Sequence, residues 1–488
     1  CIKININCMI NSKEKINLIL VFSCLFFAIF IRAYNIGYDN LWFDEISSFW
    51  VSDPNISFQE SLVRHNNIEK TPFLYFSILK VNFELFSYSA VAGRALSVIF
   101  NILGIIFSVL ICRTMKNNSS YILSLFIFST NIFLINYAQE MRVYSLVFFL
   151  TSVYLFLFIK INKFSQKREI NFPYLFLISL VLLLTLFSHP FCFIIFFSTS
   201  VFLLLEFIYK KNISKTLIYN FFLGLAFSII IIFFIISEIG STPTWIIQPD
   251  IKFYTNFYFS KFFGSRLMGL IHLILLLSLI SLIFKKTVKE NFELNIFLLI
   301  IFLSYFLPLV YGYLISPIIF PRYIIFILIP IIILLSILIF EIKNTFIRRI
   351  IISLVILINL GNHFFEATFQ QFYKERPFFK PNFTKMIHNL KNDEVKFYTV
   401  HLSSAKDDNK YYYNAIENYI SHFQIYQNSN IKYFEKKDFL NSGNDKIWVL
   451  CLINIVKDNC NKIKLNPNNK ILSEKAIPGM RMTLISKN

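Results

Sequence analysis

The chain has 488 residues, of which 56% are hydrophobic and 15% carry charge. A water-soluble chain of this length could not hide so much apolar side chain, so a soluble globular protein is excluded. The formal net charge of +19 does not mark a nucleic-acid binder, because Lys and Arg fall mainly in short connections between apolar runs; topology accounts for them there first.

In chain order, apolar runs roughly long enough to cross a ~30 Å hydrocarbon layer predict eleven transmembrane helices. They lie at about 16–33, 91–112, 121–136, 143–159, 173–187, 190–209, 217–236, 267–284, 294–314, 323–340 and 347–363. No small-residue cleavage site follows the first run, so it is expected to stay as an anchor. Cys1 in place of Met points to an incomplete or alternatively assigned start.

The fold class is therefore an α-helical polytopic membrane protein, with residues 1–363 as the membrane domain and residues 364–488 as a second domain. Basic residues set its orientation. With the N-terminus cytoplasmic, the inner connections hold Lys3, Lys13 and Lys15, then Arg113 and Lys116, and then Lys160, Lys163, Lys167 and Arg168. Further on they hold Lys210, Lys211 and Lys215, Lys285, Lys286 and Lys289, and Lys343, Arg348 and Arg349. The short outer connections hold only Arg142 and Arg322, a strong positive-inside bias.

Three longer segments then face outward: residues 34–90, residues 237–266 and the tail from about 364. In the first, Thr71 to Phe86 mixes apolar residues with Lys80 and Glu84, which suits a helix lying on the membrane surface; residues 251–264 read the same way. The tail regains charge. Its strand-like runs Val395 to Val400 and Lys446 to Ile453 flank a helix-like Tyr411 to Phe423, and predict a small α/β domain. Of seven cysteines, Cys24, Cys112 and Cys192 lie in or beside apolar runs, while Cys451 and Cys460 share a polar segment where a disulfide is open.

Chemistry-bearing residues gather at the outer ends of the spans. Asp44 and Glu45 follow the first span in Leu41-Trp42-Phe43-Asp44-Glu45; partial burial or a nearby cation would set such an acid as a base or ligand. The alternative is an N-terminal cap on a short helix beginning near Ile46. If the stretch is helical, the two acids point about a third of a turn apart and serve different tasks. The connection Tyr137-Ala138-Gln139-Glu140-Met141-Arg142-Val143-Tyr144 sets an acid and a base side by side. An outward Arg142 calls for an anionic partner, either Glu140 or a phosphate. Lys70, in Glu69-Lys70-Thr71-Pro72, and Arg322, in Pro321-Arg322-Tyr323, raise the same question. His189, in the short turn Ser188-His189-Pro190, is a secondary candidate against the plainer reading of a water-satisfied turn residue.

Few ionisable groups fall at mid-membrane, which argues against an ion-coupled transporter. No two Asp residues stand two apart, and no P-loop is present, so nucleotide-sugar and nucleotide chemistry lack their motifs.

Together, Leu41 to Glu45, Lys70 to Tyr75, Arg94, Tyr137 to Tyr144, Ser188 to Pro190 and Pro321 to Tyr323 occur in the order and topology of bacterial GT-C glycosyltransferases. Over residues 16–345 the chain resembles the branch that contains the protein O-mannosyltransferases and the lipid A aminoarabinose transferase. The resemblance implies a GT-C fold in the bacterial inner membrane, a polyprenyl-phosphate-linked sugar donor, and hexosyl or pentosyl transfer to a glycan, lipid or protein acceptor on the extracytoplasmic face. It implies Asp44, Glu45 and Glu140 as catalytic acids, and Lys70, Arg142, Arg322 and Tyr323 around the donor phosphate. Tyr137 and His189 stand in support, and Asp44 with Glu140 would hold a divalent metal cation, if one is used. The chain departs from relatives in having Lys70-Thr71-Pro72-Phe73 where many have His-Pro-Pro or Thr-Pro-Pro. A lipid-linked saccharide flippase, or a ligase or polymerase of preassembled glycans, would need the same outer cations and many spans.

Overall fold

The computed structural model describes residues 12–37, 40–69, 71–116, 118–164, 169–210, 213–238, 246–284, 294–365, 382–402, 410–422, 431–433, 445–452, 469–477 and 480–487. Cys1, Lys70 and Cys460 lie outside the described residues.

The membrane part begins with α1 (Ser12–Ala33), then three helices of the segment 34–90: α2 (Phe43–Val51), α3 (Phe58–Ile68) and α4 (Leu74–Leu85). There follow α5 (Ala90–Met115), α6 (Ser120–Thr130), α7 (Ile132–Ala138), α8 (Tyr144–Phe164), α9 (Phe172–Leu186), α10 (Phe193–Lys210) and α11 (Lys215–Glu238). Two short helices, α12 (Ile251–Asn256) and α13 (Phe259–Phe262), precede α14 (Arg266–Phe284), α15 (Asn295–Leu314), α16 (Leu328–Glu341) and α17 (Thr345–Phe365).

Each of the eleven expected spans falls on an apolar helix, but not all reach spanning length. Among the described residues, seven helices are long and apolar enough to cross a membrane, and α6 with α7 makes an eighth as a bent pair. The remaining three fall on shorter apolar helices, at Phe172–Leu186, Lys215–Ile231 and Arg266–Ser281. The protein is an integral membrane protein: α1 and α17 turn large hydrophobics such as Phe22, Phe26, Phe346 and Leu357 outward, whereas α16 buries nearly all its side chains and forms the centre of the bundle.

The α6–α7 break bends the chain by 56°, and the following turn, 139–143, meets α2 through the Met141 N–H and Glu45. In an apolar setting every freed backbone group needs a partner. The Asn131 side chain accepts from the Leu134 N–H at 3.0 Å and donates to the Phe262 carbonyl at 3.0 Å. The loose carbonyls of α6 are taken by a buried arginine: Arg32 donates to Phe128 O and Ser129 O, both at 2.9 Å, while His363 meets Thr130 O at 2.7 Å. Asn101 anchors the Arg32 Nε at 2.8 Å. A cation at helix C-termini also opposes their partial negative charge.

The tail contains α18 (Phe383–Lys391), β1 (Phe397–Leu402), α19 (Lys410–His422), β2 (Lys432–Tyr433), β3 (Lys446–Leu452), β4 (Asn469–Ile477) and β5 (Met480–Lys487). These strands form one sheet in the order β2-β1-β3-β5-β4, with β1 parallel to both neighbours and β5 antiparallel to β3 and β4. Cys451 is held in a disulfide. Helix α19 packs directly on α2, joining the tail to the segment 34–90.

Candidate active site

Helix α2 follows α1, a helix long and apolar enough to cross a membrane. Its first turn carries Asp44 and Glu45, favourable against the partial positive charge of a helix N-terminus, and the Trp42 N–H donates back to Glu45 Oε2 at 3.4 Å. The two acids face different partners. Asp44 Oδ2 lies 3.1 Å from Arg322 Nη1, and its side chain is about a fifth exposed.

Arg322 follows Pro321 at the start of a 3-10 turn, residues 321–327, that leads into α16. Proline is suited to that first position, where its missing N–H costs nothing. The guanidinium stands among four rings: Phe320 at 5.2 Å, Tyr144 at 5.4 Å, and Trp42 and Tyr323 at 5.7 Å. Such faces attract a cation and limit its hydration, so its charge is strongly felt by an anion entering the site.

Arg142 approaches the same helix from the other side. Its Nη1 donates to Asp44 O at 2.9 Å, Ser48 Oγ at 3.0 Å and Glu69 Oε1 at 2.7 Å, and Nη2 reaches Glu69 Oε2 at 3.4 Å. Burial works against its charge, but Glu69 and Asp44 hold its pKa well above the ordinary arginine value. The anion beside Arg142 is thus Glu69, at the C-terminal end of α3, instead of Glu140. The α3 C-cap brings Glu69 over α2, a placement that spacing alone does not show.

Glu45 has neither solvent nor a free oxygen. It is fully buried and meets Arg94 of α5 in a two-pronged pair, Nε to Oε1 at 2.8 Å and Nη2 to Oε2 at 3.0 Å. The Met141 N–H also donates to Oε1, at 3.0 Å. Glu45 therefore ties α2 to α5 and to the 139–143 turn, a structural task distinct from that of Asp44.

His189 is not a water-satisfied turn residue. It is 3% exposed, with its ring 5.2 Å from Tyr323 and 6.2 Å from Tyr144. Its Nδ1 accepts the Phe191 N–H at 3.3 Å. Burial, then Arg322 and Arg142, push its pKa down to about 3, so the ring is neutral at pH 7. Tyr137 stacks edge-on to Tyr144 at 5.2 Å and lies within electrostatic reach of Glu140, Arg322 and Asp44. Glu140 sits partly exposed in the turn, with its carbonyl accepting the Arg142 N–H at 2.9 Å.

Asp44, Arg142, Arg322, Tyr323, His189, Tyr137 and Glu140 are thus neighbours at one rim of the bundle. Glu69, Trp42 and Tyr144 were not singled out from sequence, although each lies one or two residues from a residue that was. As for a metal, no three His, Cys, Asp or Glu side chains converge among the described residues. A hard divalent cation takes six or more oxygens, and Asp44 already shares an oxygen with a guanidinium. The described residues do not make up a metal centre by themselves.

No family profile matches the chain, and no curated protein matches it in sequence. Solved structures do. ArnT from Cupriavidus metallidurans in the apo state superposes with a TM-score of 0.58 at 10% identity, covering 97% of this chain and 98% of that one; its undecaprenyl phosphate-bound form gives 0.51 over the same shares at 9% identity. The archaeal oligosaccharyltransferase AglB from Archaeoglobus fulgidus, in complex with an inhibitory peptide and a dolichol-phosphate, gives 0.55 at 11% identity over 90% of this chain and 69% of that one. The chain has the GT-C membrane fold that these glycosyltransferases share.

Proposed function

We propose that the protein is a glycosyltransferase that moves a sugar from a polyprenyl-phosphate donor to an acceptor hydroxyl on the outer face of the membrane. The observation that carries the reading is the meeting of Asp44 with Arg322 beside Arg142 at the rim of a GT-C bundle. ArnT binding undecaprenyl phosphate and AglB binding dolichol-phosphate support a lipid phosphate as the donor's carrier.

In the proposed step, Arg322 exchanges Asp44 for the donor phosphate, and the freed carboxylate takes the acceptor proton. The acceptor oxygen attacks the anomeric carbon, the bond from that carbon to the phosphate oxygen breaks, and polyprenyl phosphate leaves with its charge held by the arginines. Direct displacement inverts the carbon. Arg142, already gripping Asp44 O and Glu69, contributes position and field more than a direct grip. Tyr323 and Tyr137 line the donor phosphate, Glu140 supplies a second acid at the acceptor side, and Lys70 is a further cation of the same outer segment. Asp44 and Glu140 are the acids that would share a divalent cation, whose chemistry there would be to offset the charge of the donor phosphate.

Inner-membrane location with a cytoplasmic N-terminus is supported by the basic-residue bias. The disulfide at Cys451 supports an oxidising, extracytoplasmic tail. The division into a membrane domain, residues 1–363, and a tail domain, residues 364–488, belongs to the same reading.

The test incubates the purified protein with a panel of polyprenyl-phosphate hexoses and pentoses, and follows lipid phosphate release and product mass. Release that requires Asp44 supports the reading. Movement of labelled lipid-linked sugar between leaflets with no new glycosidic bond would replace it with a flippase.

A further inference from the structure

Helix α2 has nine residues, too few to hold a helical shape in isolation. Its partner across the interface is α19, from the tail. Tyr412 lays its ring on Phe43, at 5.0 Å and 24° between planes, and donates its hydroxyl to the Ile68 carbonyl at 2.8 Å. Phe43 precedes Asp44, and Ile68 precedes Glu69, the partner of Arg142. One buried side chain therefore touches both arms of the site, and it lies in the fields of Glu69, Asp44 and Arg142.

The same face of α19 makes further bonds. Tyr419 accepts the Leu41 N–H at 3.0 Å and donates to Asn40 Oδ1 at 3.2 Å. At the far end of α2, Tyr88 donates to Phe49 O at 3.0 Å and stacks on the Phe49 ring at 3.7 Å. Tyr88 is itself held by Asn418 at 3.3 Å and His422 at 2.7 Å. Both ends of α2 are thereby fixed by one tail helix.

We infer that α19 is part of the catalytic apparatus, with Tyr412 and Tyr419 as positioning residues that hold Asp44 in register with the Glu69–Arg142 pair; the inference rests on the glycosyl-transfer reading. A displacement of about 1 Å in a reacting group can cost on the order of 100-fold in rate. A tail that only displayed the protein or recruited partners would not need hydroxyls aimed at residues 41 and 68.

The experiment compares the full-length Tyr412→Phe, Tyr419→Phe and double variants with wild type. Asn414→Ala, exposed on the same helix, is the control. Turnover and donor KM are measured by mass spectrometry, and hydrogen–deuterium exchange is followed in residues 41–51. Tyr412→Phe should lower kcat about tenfold with donor KM unchanged. The double variant should lose more, amides of α2 should exchange faster, and Asn414→Ala should match wild type. A double variant with wild-type kcat and wild-type exchange overturns the inference, as does a loss seen equally in kcat and donor affinity. If wild type transfers no sugar from any donor, the functional reading falls, while faster exchange in α2 still upholds the bracing.

Discussion

Asp44 Oδ2 stands 3.1 Å from Arg322 Nη1, in a nest of four aromatic rings. Each residue is the other's counter-ion until a different anion arrives. Asp44→Asn should therefore reduce turnover by roughly 100- to 10,000-fold, the range for loss of a general base. It should leave donor binding equal or tighter, since the phosphate no longer competes with a carboxylate. Turnover and equilibrium donor binding, measured separately, check this; a fully active Asp44→Asn protein removes Asp44 as the base.

Arg322→Lys keeps the charge but loses the planar fork and its packing against the rings. Donor KM should rise about tenfold or more, measured on the same donor series. Unchanged saturation would take Arg322 out of the phosphate site.

The Glu45–Arg94 pair predicts a stability effect in place of a catalytic one. Glu45→Gln leaves a buried guanidinium without its charge partner, at a cost of about 3–5 kcal/mol. Thermal unfolding in detergent should show a large loss, and the double variant Glu45→Gln with Arg94→Met should recover much of it. Normal stability with lost turnover in Glu45→Gln would assign Glu45 to the reaction.

Arg142, buried, and Glu69, partly exposed, form a second pair, and Arg142 also holds the Asp44 carbonyl. Glu69→Gln should lower turnover by positional loss and raise donor affinity slightly, because the Arg142 charge becomes available to phosphate. Titration with lipid phosphate checks the sign; weaker donor binding would mean that Glu69 contacts the donor.

His189 gives a pH prediction. Its pKa lies near 6.5 when unfolded and about 3 when folded. Between those values the unfolded chain binds the extra proton, so the His189 contribution is complete above pH 6.5 and is lost as pH falls toward 3. His189→Gln should flatten that part of the profile, read as the difference in unfolding temperature between variant and wild type at pH 7.5 and pH 5. Parallel profiles would mean that His189 titrates normally.

Each apolar run falls on an apolar helix in the same order, three of them shorter than a span among the described residues, and the basic-residue bias groups Asp44, Arg142 and Arg322 at one side, because hydropathy and charge act locally along the chain. Even the divergence of Asp44 and Glu45 follows from helical phase. What the sequence could not supply was the pairing. Glu69 with Arg142, Glu45 with Arg94, Asp44 with Arg322 and Tyr412 over Phe43 all join residues distant along the chain. A charge shows that it needs a partner, but which one it finds depends on how helices bend and pack: the α6–α7 break turns the 139–143 segment toward α2, and the tail sheet delivers α19 onto it. Those are properties of the closed structure, where burial makes an unsatisfied charge costly and so selects one arrangement among many.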